Sequence, residues 1–184
     1  MNNLLRRCNK VAFYSIKNGD STEYHRMKGF TDFTVSKNPS EYSRKYVDEA
    51  FEQSDVVGYS PSVSFSFDYI KDNKVHDDIE SISRNELVGD DAVRSIVIVD
   101  TTYTDGLGNY AAVKRDFSVV VDTEGSGTET YQISGTFKSK SAPVPGFATR
   151  EEGLEKVTFT TSTIPLLPDD GIGANPPQVD EDEL

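Results

Sequence analysis

The stretch "SVSFSFDYI", residues 62–70, limits the possible folds of this chain more than any other. Val63, Phe65, Phe67 and Tyr69 fall on one side; Ser62, Ser64, Ser66 and Asp68 fall on the other. A period of two marks a strand with one face in a core and the other in water. On a helix the same aromatics would be scattered around the circumference. Residues 112–122 repeat the pattern, with Val113, Phe117, Val119 and Val121 against Lys114, Asp116, Ser118 and Asp122. Residues 128–140 repeat it again. There Tyr131, Ile133 and Phe137 oppose Thr128, Thr130, Gln132, Ser134, Thr136 and Lys138. "RSIVIVDTTYT", residues 94–104, is apolar on both faces through Val99, which predicts a central strand.

Weaker signals complete the outline. Residues 1–20 read as an N-terminal arm holding a short strand at Val11–Ile16, closed by a turn at Asn18-Gly19-Asp20. A strand from Tyr24 to Val35 follows, with Gly29 as a bulge. "DDIESISRNEL", residues 77–87, predicts the one helix. Asp77 or Asp78 is its cap, Ile79, Ile82 and Leu87 form its apolar stripe, and Gly89 is its stop. "DGLGN" and "TEGSG" are turns, "APVPG" breaks the chain, and "EKVTFTTS" is the last strand. After Ile164 the composition turns to Pro, Gly and acid, so 165–184 reads as an acidic flexible tail. The expected fold is mainly β: an antiparallel two-sheet sandwich or partly closed barrel over residues 21–164, with one flanking helix and extended arms.

Charge narrows the function. The chain of 184 residues carries a net charge of -12, unevenly spread: +1 over residues 1–60, -5 over 61–150 and -8 over 151–184. Clustered Lys and Arg are needed to neutralise phosphates, so sequence-specific nucleic-acid binding is not expected. Arg6, Arg7 and Lys10 are too small a patch to reverse this. Cys8 is the only cysteine, which rules out an internal disulfide and a cysteine-based zinc site. No apolar run approaches the roughly 18 residues of a membrane helix. "MNNLLRRCNK" lacks the apolar centre of a signal peptide. A soluble chain made in the cytoplasm, with no membrane partner, is expected.

No catalytic constellation stands out. His76, beside Asp77 and Asp78, fits no metal-ligand spacing and reads as a solvated turn before the helix; His25 reads as a surface strand residue. No serine lies in a G-x-S-x-G setting. "DGLGN" precedes a strand, so it is a turn and not a phosphate cradle.

Two features do ask for a function. The polar faces of the alternating strands are chiefly Ser, Thr, Gln and Asp. A solvated sheet face accounts for that, and so does a smooth, weakly acidic wall past which a polyanion slides without sticking. The second feature is "KNPSEYSRKYVDEAFEQSDVVGYSP", residues 37–61, bounded by turn signals and rich in aromatics and charges, with neither a strand period nor a helix stripe. It is too long and too aromatic for an idle connection.

The segments "GFTDFTVSKNPSEYSRKYVDEAFEQSDVVGYSPSVSFSFDY" (29–69) and "VHDDIESISRNELVGDDAVRSIVIVD" (75–100) resemble the major tail tube protein of long-tailed, non-contractile phages of Gram-positive hosts. The resemblance runs over residues 27–160 and is strongest over 37–69. It implies a two-sheet sandwich with a flanking helix, assembled into hexameric rings that stack into a tube. It further implies a polar or acidic lumen through which the genome passes during ejection. Partners would be further copies of the chain and the tape measure, tail terminator and initiator proteins, with non-specific passage of DNA. The place would be the virion tail, after synthesis in the host cytoplasm. Neither enzymatic activity nor a cofactor is implied.

On this reading the 37–61 loop is the subunit contact. Tyr42, Tyr46, Phe51 and Tyr59 are its aromatic anchors, of the kind enriched at interface hot spots. Arg44, Lys45, Asp48, Glu49, Glu52 and Asp55 set register through charge. Either Ser62, Ser64, Ser66 and Asp68, or the face carrying Thr130, Gln132 and Ser134, lines the lumen. Lys114 and Lys138 interrupt an acidic wall unless they pair with Asp116 or Glu129 or lie outside it. The alternative is a carbohydrate- or receptor-binding sandwich of a phage tail or cell surface, which the absence of Trp disfavours. A small hydrolase would need a paired acid or nucleophile that the sequence does not show.

Overall fold

The structure, a computed structural model, describes residues 4–19, 21–105 and 107–162. The expected tail 165–184 lies outside these residues. The strands are β1 (Lys10–Asn18), β2 (Ser21–Arg26), β3 (Phe30–Ser36), β4 (Pro39–Arg44), β5 (Gln53–Tyr59), β6 (Ser62–Asp68), β7 (Val93–Thr104), β8 (Tyr110–Ser126), β9 (Gln132–Ser139), β10 (Val144–Glu151) and β11 (Lys156–Thr161). Among the described residues one α-helix, α1 (Lys74–Arg84), interrupts them between β6 and β7.

Nine strands form one antiparallel sheet in the order β10-β11-β2-β1-β7-β8-β9-β6-β3. The sheet does not stay open. β10 also pairs with the first part of β8, from Val144 opposite Lys114 to Ala148 opposite Tyr110. Six strands therefore close into a ring, while β9, β6 and β3 continue from the second part of β8. The fold is mainly β, with antiparallel sheets, a partly closed barrel and one helix, as the alternation predicts.

Two apolar clusters result. Val11, Phe13, Val97, Val99, Ala112, Ala148 and Val157 fill the ring. Val63, Phe65, Phe67, Ile133, Phe137, Phe117, Val119, Tyr14 and Ile96 form the other, under Val75, Ile79 and Ile82 of the helix. β1 and β7 have apolar residues in both clusters, which explains the two-faced hydrophobicity of residues 94–99. Fully burying each Val, Ile or Phe side chain among these contributes about 1.5–3 kcal/mol.

Several expectations are corrected. Lys10–Asn18, expected within an arm, is a central strand paired with both β2 and β7, with Phe13 and Tyr14 fully buried. The single strand expected over Tyr24–Val35 is two. Its break contains Gly29 at φ 76, and β2 pairs with β1 and β11 whereas β3 pairs with β6. The helix starts at Lys74, not Asp77, and its cap is Asn73, whose side chain accepts the Val75 N–H. Asp77 and Asp78 lie inside the helix and accept the hydroxyls of Tyr69 and Tyr14. Asn85, not Gly89, ends it.

The "APVPG" break conceals strand β10, which the sequence reading omitted. Gly146 is required there, because an added Cβ would meet the Phe159 ring at 2.6 Å and the Thr160 carbonyl at 2.2 Å. The strand expected over 128–140 begins only at Gln132, leaving Tyr131 exposed. Val113 lies beside Ile98 but outside the apolar clusters and is 45% exposed.

Candidate functional site

The polar residues of β6 and β9, which the sequence offered as alternatives, share one face. Antiparallel register sets Ser62 opposite Lys138, Ser64 opposite Thr136, Ser66 opposite Ser134 and Asp68 opposite Gln132. On the other side β3 adds Ser36, Thr34 and Asp32 opposite Ser62, Ser64 and Ser66. Beyond β9, β8 adds Ser118 opposite Lys138 and Thr123 opposite Ser134, with Val120 the apolar exception opposite Thr136. Directly opposed residues point the same way, so four strands build one hydroxyl-rich wall. Its reverse side is the Val63–Phe65–Phe67 core.

The wall is tied laterally by its own side chains. Asp32 accepts from Ser64 at 2.8 Å and from Thr34 at 2.7 Å. Those two hydroxyls, Thr34 first, hold the Asp32 carboxyl below the usual aspartate range. Thr130, just before β9, donates to Asp68 at 2.9 Å. Thr123 and Ser134 share a hydrogen bond of 2.5 Å, and Asn38 donates to the Ser62 hydroxyl at 3.0 Å. Asp32, Asp68 and Lys138 carry the charges of these rows. Lys138 is exposed and makes no ion pair among the described residues. Lys114 is not on the wall: its ammonium lies 5.3 Å from the Phe159 ring centre. Neither lysine takes the expected Asp116 or Glu129 partner; Asp116 instead accepts the Ser95 hydroxyl.

Alternation puts Ser118 on a polar face, but nothing in the sequence places it, or Asp32, Thr34, Ser36 and Thr123, beside the serines of β6. Alternation gives the faces of each strand, but only register tells which strands are neighbours.

Residues 37–61 are not a loop. They form a two-stranded antiparallel hairpin, β4–β5, running from Pro39 opposite Tyr59 to Arg44 opposite Gln53, with an irregularity after Ser40. Every residue of β4 is exposed, and of β5 only Gly58 is partly covered. No hairpin residue belongs to either apolar cluster. Phe51 is 83% exposed, Tyr59 64%, Tyr42 50% and Tyr46 46%. The Arg44 guanidinium stands over the rings of Tyr42 and Tyr46, 5.6 and 5.9 Å from their centres. Asp48, Glu52, Lys45 and Asp55 form no ion pairs among the described residues, while Glu49 accepts from Gln53 at 2.7 Å. The expected anchors are therefore gathered on one projection and left uncovered.

The chain matches no protein-family model and no curated protein.

The histidines are placed differently from expectation. His76 is fully buried, not solvated. Its Nδ1 accepts the Ile70 N–H at 3.1 Å, so Nε2 carries the proton and donates to the Lys28 carbonyl at 2.8 Å. Its ring stacks on Phe67 with centres 4.2 Å apart. Burial pushes its pKa below the usual histidine value. His25 is half-buried and bonded to Glu23 at 2.8 Å. Among the described residues no helix is long and apolar enough to cross a membrane, and no group of three or more His, Cys, Asp or Glu is placed to hold a metal ion.

Proposed function

We propose that this chain is a structural subunit that polymerises with copies of itself into a polar-lined tube, as the resemblance to phage tail tube proteins implies. The observation that carries the reading is the β4–β5 hairpin. It exposes Tyr42, Tyr46, Phe51, Val56, Val57 and Tyr59 together, a concentration of large apolar side chains that soluble monomers rarely leave to water. An isolated two-stranded hairpin is at best marginally stable alone, so a neighbouring subunit is its natural support.

The wall and the sheet edge agree with this. Among the described residues β3 ends the sheet with β6 as its one strand neighbour, touched otherwise by Arg7, which donates to the Phe33 carbonyl, whereas β10 at the other end is paired back onto β8. An open edge is a site for strand addition by a neighbouring copy. Strand addition there would extend the hydroxyl-rich wall from one subunit to the next. Head-to-tail contacts of this kind close into rings, and ring stacking gives a filament. A wall of hydroxyls with a small acidic excess would repel phosphates without gripping them, as a DNA conduit requires.

Negative-stain electron microscopy of the purified chain, alone and with tail initiator and tape measure proteins, tests the proposal. Rings or tubes are expected. Strictly monomeric particles under all these conditions would overturn it.

A further inference from the structure

Five of the chain's 19 Lys and Arg residues line one groove of about 520 Å3 between β2, β11 and the start of α1: Arg26, Lys28, Lys71, Lys74 and Lys156. Its own carboxylates are Asp72 and Glu155. Lys28 reaches Glu155 at 2.5 Å, and Lys74 and Lys156 approach Glu23 at 3.8 and 3.7 Å. Arg26 and Lys71 have no carboxylate partner among the described residues. Counting Glu23, five cations face three anions, a local excess of positive charge on a chain whose net charge is -12. Such a concentration of one sign in a concave site draws in a counter-charge. The helix end is not the attraction, since the Asn73 side chain already serves the Val75 N–H.

The occupant is argued from charge and reach. Beyond Ser162 lie 22 residues with six carboxylates and no Lys or Arg, four of the six consecutive at Asp180–Glu183. Ser162 follows β11, whose first residue, Lys156, lines the groove. The length of that strand is about 20 Å at 3.3 Å per residue. The 18 residues from Ser162 to Asp180 can span up to roughly 60 Å. We propose that the groove docks the acidic segment Asp180–Glu183 of the same chain. Tethering supplies an effective concentration in the millimolar range, so exposed ion pairs that are individually weak suffice. The acidic hairpin tip of a second copy fits less well. Its distinguishing side chains are Val47 and Phe51, and the groove offers them little but Ile70. The docking needs only one molecule, so it can stand or fall apart from the tube reading.

Zero-length carbodiimide cross-linking of the full chain, at a dilution where it is monomeric, tests the docking. In low salt, Lys71 or Lys74 should be joined to residues 180–183 within the monomer band. The yield should fall several-fold in high salt, and in the doubly substituted Lys71→Glu, Lys74→Glu chain the tail cross-links to the remaining groove lysines, Lys28 and Lys156, should fall as well. Both substituted lysines are exposed, and an unchanged circular dichroism spectrum verifies the variant's fold. Tail cross-links spread evenly over lysines of other strands and loops, such as Lys37 and Lys138, or no tail cross-links at all, would overturn the proposal. So would groove lysines joined to Glu49 or Glu52 in a dimer band, which would assign the groove to a second copy.

Discussion

Asp78 of α1 grips Arg94 of β7 at two points, Oδ2 to Nε at 2.8 Å and Oδ1 to Nη2 at 3.0 Å. The same carboxylate accepts the Tyr14 hydroxyl at 2.8 Å. One helical side chain therefore fixes α1 to both β7 and β1. Replacing Asp78 with Ala leaves a partly buried guanidinium without its anion and a buried hydroxyl without its acceptor. Such a loss costs about 3 kcal/mol, measurable by urea denaturation. Tyr14→Phe removes only the hydroxyl bond and should cost about 1 kcal/mol. Equal losses from the two variants would count against the shared-anchor assignment.

His76 makes stability depend on pH. Its folded pKa is depressed, chiefly by burial, although the Lys28 carbonyl and the Asp77 charge oppose the shift. Below the ordinary histidine value of about 6.5, the unfolded chain takes up a proton that the folded ring refuses. This contribution to stability is therefore intact above that pH and lost as the pH falls below it. Protonation would also point an N–H at the Ile70 N–H, which now donates to Nδ1. Urea midpoints measured between pH 7.5 and 5 should fall, and His76→Gln should flatten the slope. Parallel slopes would show that other groups cause it.

Gly135 has no room for a side chain. An added Cβ would lie 2.1 Å from the Val120 carbonyl oxygen and 2.8 Å from the Phe65 ring. Gly135→Ala should destabilise the chain by about 3 kcal/mol through forced displacement in the core. Gly58, with nothing within 4 Å of its added Cβ, is the control. Gly58→Ala should change stability by less than about 0.5 kcal/mol.

The hairpin anchors should matter for assembly and not for folding. Phe51→Ala and Tyr46→Ala remove exposed side chains and should shift the monomer's stability by no more than about 0.5 kcal/mol. Both should abolish tubes or rings in micrographs under conditions where the parent chain forms them. Normal tubes from both variants would remove the hairpin from the contact.

What the sequence disclosed depended on how strongly water was excluded from each element. β6 was legible because every second residue is a large apolar group, and β7 because both its faces are buried. β4 and β5 left no trace, since an exposed hairpin has no inner face to impose a period. Pro145 and Gly146 read as a break because turn chemistry and a tightly packed strand favour the same small or rigid residues. Asp77 and Asp78 looked like caps, yet their partners, Tyr69, Tyr14 and Arg94, come from other elements and are invisible locally. The wall was half legible for the same reason: alternation named the serines of β6, but only pairing revealed Asp32 and Thr34 beside them.

β8 supplies Ala112 to the apolar filling of the ring and Phe117 and Val119 to the helix-covered cluster. One continuous ribbon is thus the partition between two interiors. Neither compartment can be opened without stripping a side from its neighbour, so the two should be lost together, with no half-assembled molecule surviving on its own.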